Sequence, residues 1–72
     1  KTGGPAGMLK TRLKELRARE GLKQEELARL VGVRRETIGN LEAGRYNPSL
    51  RLAMDIAKVF NCTVEDIFTF QD

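Results

Sequence analysis

Apolar positions recur along this chain at helical spacing, in blocks separated by single glycines. Leu9, Leu13 and Leu16 stand at i, i+4 and i+7, which predicts a helix over Leu9–Glu20. Glu15 and Arg19 form a favourable i,i+4 pair on it, and Gly21 can adopt the left-handed conformation that ends it. Leu27, Ala28, Leu30 and Val31 form the stripe of a second helix, Gln24–Val31. Glu25 and Glu26 sit in its first turn, where the helix dipole favours acids, and Gly32 ends it. Ile38 and Leu41 face inward from a third helix, Arg35–Ala43, stopped by Gly44. Asn47-Pro48 marks a turn. Ser49 then caps a fourth helix running to about Phe60, with Leu52, Ala53, Ile56, Ala57 and Phe60 as its inner face. Thr63 with Asp66 forms a capping-box pattern and opens a short fifth helix, Val64–Phe68.

The end of the chain reads differently. Phe68-Thr69-Phe70-Gln71 alternates apolar and polar, a strand pattern that could pair with extended residues near Met8–Lys10. A frayed end is the alternative at four residues. Lys1–Gly7 is Gly/Pro-rich and is expected to be a flexible tail or an expression remnant, with Met8 as the natural start.

Composition narrows the classes. A chain of 72 residues holds one domain with a small core. No apolar run approaches the ~20 residues of a transmembrane helix, and there is no signal-peptide core, so no membrane role and a cytoplasmic location are expected. Cys62 is the only cysteine, which excludes an intramolecular disulfide; it reads as a small buried apolar residue. Histidine is absent, which removes the commonest general base and metal ligand. No enzyme, cofactor or metal is expected. The net charge of +3 hides an uneven distribution. Residues 1–51 hold twelve Lys/Arg against six Glu, whereas residues 52–72 hold one Lys against four acids. A basic two-thirds points to a polyanion, the alternative being an ordinary solvated surface.

The spacing between helices two and three is specific. Ala28 precedes Gly32 by four residues, and Ile38 and Leu41 follow. A small residue lets two backbones cross closely, a glycine makes the sharp turn, and Val33, Ile38 and Leu41 seal the pair. This is a helix-turn-helix pattern.

Gln24-Glu25-Glu26-Leu27-Ala28, Gly32-Val33, Thr37-Ile38, Leu41-Glu42-Ala43-Gly44 and Asn47-Pro48-Ser49-Leu50 resemble the phage Cro/C1 (Xre) family of helix-turn-helix proteins, from about Leu9 to Phe68. The ending Glu65-Asp66-Ile67-Phe68 is similar to that of very short dimeric repressors carrying a small terminal β-ribbon. The resemblance implies a mainly α, five-helix lambda-repressor-like domain within residues 8–72, with a two-stranded terminal ribbon. It also implies that helix three enters the major groove of double-stranded DNA. Base-reading candidates are then Arg35, Glu36, Gly39 and Asn40. Arg35 can grip guanine O6/N7, Asn40 adenine N6/N7, and Glu36 can accept from cytosine N4 or instead orient Arg35. Gly39 costs about 1 kcal/mol relative to alanine in mid-helix, which close approach to the groove would explain. The alternative for all four is a solvated helix face.

Phosphate-contact candidates are Gln24, Lys23, Arg34, Thr37, Arg45, Tyr46, Asn47 and Ser49, with Lys10 and Arg12 at the flank. Lys23 and Arg34 occupy N-cap positions where Ser or Thr is common, each giving up about 1 kcal/mol of capping. Tyr46 either donates to phosphate or covers the core. The family further implies a largely buried ion pair between Arg17 and Glu42 that fixes helix three. Met54, Phe60, Val64, Phe68 and Phe70 exceed what so small a core needs and are expected at a homodimer interface, the alternative being closure of the monomer core. The expected function is a dimeric, sequence-specific transcriptional regulator, a repressor in its simplest form. The alternative is an antitoxin-type module that binds a toxin protein and autoregulates its operon.

Overall fold

The computed structural model describes residues 8–71. The tail expected over 1–7 lies outside them. The order is β1 (Met8–Thr11), α1 (Leu13–Glu20), α2 (Gln24–Val31), α3 (Arg35–Glu42), α4 (Leu50–Phe60), α5 (Val64–Ile67) and β2 (Phe68–Gln71). The strands form one antiparallel ribbon, with Leu9 opposite Phe70 and Thr11 opposite Phe68. The fold is mainly helical with the small ribbon that the alternation at 68–71 predicts.

The first helix is shorter than its apolar spacing suggests. The spacing Leu9/Leu13/Leu16 predicts one helix over Leu9–Glu20, but Leu9 lies in β1 and α1 begins at Leu13. All three leucines are buried all the same. Burial of Leu9 is served equally well by a strand, and β2 offers it a ladder partner. The Thr11 hydroxyl accepts from Leu13 N–H at 2.9 Å, while the Arg12 backbone N–H donates to Ile67 O at 2.9 Å. Those two bonds occupy donors at the junction and separate strand from helix.

Elsewhere the ends fall within a residue of the pattern. Gly21, Gly32 and Gly44 all take positive φ. Gly44 is constrained twice: its φ is +71°, and a Cβ there would lie 2.6 Å from the Leu9 carbonyl oxygen. The end of α3 is thereby packed directly on β1. Ser49 caps α4, its hydroxyl accepting from Leu52 N–H at 3.1 Å. Thr63 and Asp66 make a reciprocal box over α5, each side chain accepting from the other's backbone N–H at 3.1 Å. α5 is one residue shorter than expected because Phe68 is extended and starts β2.

The core draws on every element. Leu13, Leu27, Ile38, Leu41, Ile56 and Ile67 are fully buried, each contributing about 1.5–3 kcal/mol of transfer free energy. Ala28, Ala53 and Ala57 supply small contacts between helices. Phe60, expected on the inner face of α4, is only partly buried against the cluster. Cys62 also packs there, and burial pushes its thiol pKa up, which suits an apolar filler.

Candidate nucleic-acid interface

The helices α2 and α3 are joined by a three-residue turn. Gly32 stands at φ 75° and Val33 N–H donates to Ala28 O at 2.9 Å, closing the end of α2. Ile38 and Leu41 bury one face of α3. The opposite face leaves Arg34, Arg35, Glu36 and Asn40 exposed. Both helices begin from extended residues, Lys23 and Arg34, with no side-chain cap on either. Lys23 keeps half of a capping box, its backbone N–H donating to Glu26 Oε1 at 2.7 Å. Both cations are exposed at helix N-termini, where backbone donors and dipole already favour an anion.

A polar network braces α3 from behind. The Arg17 guanidinium on α1 donates to both carboxylate oxygens of Glu42, Nε to Oε2 at 2.6 Å and Nη2 to Oε1 at 3.2 Å. The side chains are 15% and 8% exposed, so the pair is largely buried. Nη1 of Arg17 also donates to Leu22 O at 2.9 Å, tying in the turn before α2. Glu42 Oε1 takes a further bond from Gln24 Nε2 at 3.0 Å, and Gln24 Oε1 accepts from Arg35 Nη1 at 3.3 Å. Spacing alone offered no signal for that last contact. The orienting partner of Arg35 is thus Gln24; among the described residues Glu36 forms no ion pair.

Arg45, Tyr46, Asn47 and Ser49 are exposed on the segment after α3, and Thr37 is half-buried. Tyr46 is 43% exposed and is not one of the buried core residues. Gly39 has ordinary helical φ, and a Cβ there would meet only the Gln24 amide, at 3.9 Å. Nothing within the described protein therefore requires glycine at 39.

The five residues expected at a partner interface do not share one environment. Met54 and Phe70 are exposed, and Phe60 and Val64 are half-buried. Phe68 is 8% exposed and belongs to the core, because the ribbon turns it inward beside Thr11. Leu50, which the sequence reading did not assign to this surface, is 74% exposed. It follows the Ser49 cap and precedes the inner stripe, out of phase with Leu52 and Ala53. Pro48, Leu50, Ala53, Val64, Phe68 and Phe70 line one shallow apolar groove.

Two short helices crossed about a glycine turn, the second with a polar exposed face, define a helix-turn-helix protein. Residues 13–67 match the helix-turn-helix family. The chain is 62% identical over 64 residues to an uncharacterised HTH-type transcriptional regulator of Archaeoglobus fulgidus, covering 89% of this chain and 91% of that one. It is 50% identical over 64 residues to a similar regulator of Methanocaldococcus jannaschii, covering 89% and 97%. The crystal structure of the restriction-modification controller protein C.AhdI from Aeromonas hydrophila superposes with a TM-score of 0.70 at 38% identity, over 76% of this chain and 83% of that one. The chain belongs to the Cro/C1-type helix-turn-helix family of DNA-binding transcriptional regulators. Among the described residues no helix is long and apolar enough to cross a membrane.

Proposed function

We propose that this regulator is a cytoplasmic, homodimeric repressor that inserts α3 into the major groove of a two-fold symmetric operator. The observation that carries the reading is the exposed polar face of α3 on a helix anchored from behind by the Arg17–Glu42 pair. Arg35 and Asn40 can each make bidentate contacts to base edges, and Glu36 can accept from cytosine. Gly39 lets the helix approach closely. Lys23, Gln24, Arg34, Thr37, Arg45, Tyr46, Asn47 and Ser49 contact phosphates around the groove. One of the two Gln24 Nε2 hydrogens is committed to Glu42, which leaves the other for a phosphate oxygen.

A dimer follows from specificity. One recognition helix brings about 3–4 side chains to base edges, and each good pair discriminates by about 1–3 kcal/mol. Two copies double that and read half-sites ~34–36 Å apart. Met54, Phe60, Val64 and Phe70, joined by Leu50, form the contact, with only the edge of Phe68 available. Occupying a promoter operator then blocks polymerase.

The test is selection from random duplex DNA at about 150 mM salt. A two-fold symmetric motif with half-sites one helical turn apart is expected. No enriched motif, with binding that disappears steeply as salt rises, would overturn the reading.

A further inference from the structure

We infer that a second copy of this chain completes the segment after α3: its apolar side chains seat in the groove behind Arg45–Ser49 and hold those residues in the shape that meets phosphate. This rests on the reading of the regulator as a homodimer on DNA. It goes further in one respect, because dimerisation then raises the DNA affinity of each half separately.

The segment is held at its two ends. Its start is fixed by the end of α3, where Gly44 N–H donates to Leu41 O at 3.0 Å and Arg45 N–H to Asn40 O at 2.9 Å. Gly44 also lies directly on β1, since a Cβ there would stand 2.6 Å from Leu9 O. Its far end is fixed by Ser49, whose hydroxyl accepts from Leu52 N–H at 3.1 Å and whose carbonyl accepts from Ala53 N–H at 2.9 Å. Between these ends, among the described residues, no backbone-to-backbone hydrogen bond joins Tyr46, Asn47 or Pro48 to the rest of the protein. Tyr46 and Asn47 are exposed. A stretch with water-exposed backbone opens at low cost, so its order comes from what packs behind it.

Behind it lies an open apolar groove of about 300 Å³. The segment and the start of α4 contribute Asn47, Pro48 and Leu50, and the ribbon contributes Leu9, Phe68 and Phe70. No charged side chain lines it, which matches the buried centre of an interface. Two observations make the occupant a second copy. Leu50 and Phe70 line the groove and are still 74% and 56% exposed. A two-fold axis sets these side chains of each copy against the groove of the other, so one surface supplies both knob and hole. In addition, the stretch preceding β1, Lys1–Gly7, carries no large apolar side chain to fill the space. Asn47 shares the groove, so a partner seated there touches the phosphate-contacting segment itself. Two binding events that order one segment are coupled, and the coupling is reciprocal. Each bound half-site tightens the dimer by the factor by which dimerisation tightens that half-site.

Ordinary two-site avidity is removed with a duplex of about ten base pairs, one helical turn, centred on a single half-site, which the second copy cannot reach. Wild type would be titrated with it above and below its dimer dissociation constant. Met54→Asp, whose side chain is exposed and does not line the groove, would be titrated as a monomer once its cooperative melt is checked. We expect the dimer to bind the half-site at least about fivefold more tightly per copy than the monomer, the lower end of the usual range for coupled sites. Sedimentation should show the half-site duplex tightening the wild-type dimer by at least the same factor. The backbone 15N–1H NOE of Tyr46 and Asn47 should rise on dimerisation. Equal affinity of dimer and monomer, with a dimer constant that half-site DNA leaves unchanged, overturns the coupling and leaves the dimeric reading of the full operator standing. A wild type that sediments as a monomer at all concentrations, on or off DNA, overturns that reading and this inference with it.

Discussion

Two residues on different helices fix the position of α3 from inside. Arg17 and Glu42 are 25 positions apart in sequence and meet at 2.6 Å, largely out of water. A pair of this kind adds little net stability over an apolar replacement, but breaking it strands a charge. Arg17→Ala is expected to lower folding stability by about 3–5 kcal/mol in urea or thermal melts. A loss under about 1 kcal/mol, the range of an exposed pair, would show that water reaches Glu42 readily. Gly39 is the opposite case, a residue that costs stability without a structural reason inside the protein. Gly39→Ala is expected to stabilise the fold by about 0.5–1 kcal/mol, since its Cβ makes only ordinary contact. It should also weaken operator binding. A variant that is more stable and binds as tightly as wild type removes Gly39 from the interface.

Among the elements, the short α5 depends most on its ends. A four-residue helix has too few internal bonds to stand alone, so its cap and its packing through Ile67 hold it. The Asp66 carboxylate accepts from the Thr63 backbone N–H, and this bond, with the Thr63 hydroxyl close by, holds its pKa below the usual carboxylate value; the Asp66 backbone N–H in turn donates to the Thr63 hydroxyl. A lowered folded-state pKa means that the contribution is present at neutral pH, above the unfolded value. It disappears as pH falls from about 4 through the folded value. Asp66→Asn should therefore reduce stability at pH 7 and make the acid limb of the stability curve shallower. An unchanged acid limb would show that other carboxylates, such as Glu15 beside Arg12, dominate it. The division of the first apolar segment into β1 and α1 belongs to this scale too. Periodicity could not resolve it, because Leu9 faces the core from either conformation.

At the scale of the molecule, charge is divided along the chain. The basic excess lies in residues 1–51, which include β1 and α1–α3, and the acidic excess in residues 52–72. In the proposed complex this charge division draws phosphate towards the segment that carries α3 and leaves the acidic segment for the apolar contact between copies. Met54 and Phe70 expose apolar surface there, and Leu50 does so just before it. Leu50→Asp and Phe70→Asp are expected to yield monomers by sedimentation or light scattering while melting cooperatively, since both side chains already stand in water. Operator affinity should fall steeply as the dimer is lost. A mass unchanged in both variants would place the interface elsewhere.

Much of this was legible in one dimension. The helix ends at Gly21, Gly32 and Gly44, the caps at Ser49 and Thr63, and the inner stripe of α4 are local features, decided within a few residues by backbone freedom, hydrogen-bond reach and helical period. The residues Arg34, Arg35, Glu36 and Asn40 were legible as an exposed face for the same reason. The third dimension was needed wherever two choices satisfied the same local pattern. Leu9 became strand because Phe70 lies opposite it, Phe68 entered the core because the ribbon folds inward, and Leu50 emerged as strongly exposed, at 74%. The Gln24–Arg35 contact had no signature at all in the chain. It exists because the turn at Gly32 brings the first residues of α2 and α3 side by side, and because a carboxylate anchored by another helix dictates which end of an amide faces out.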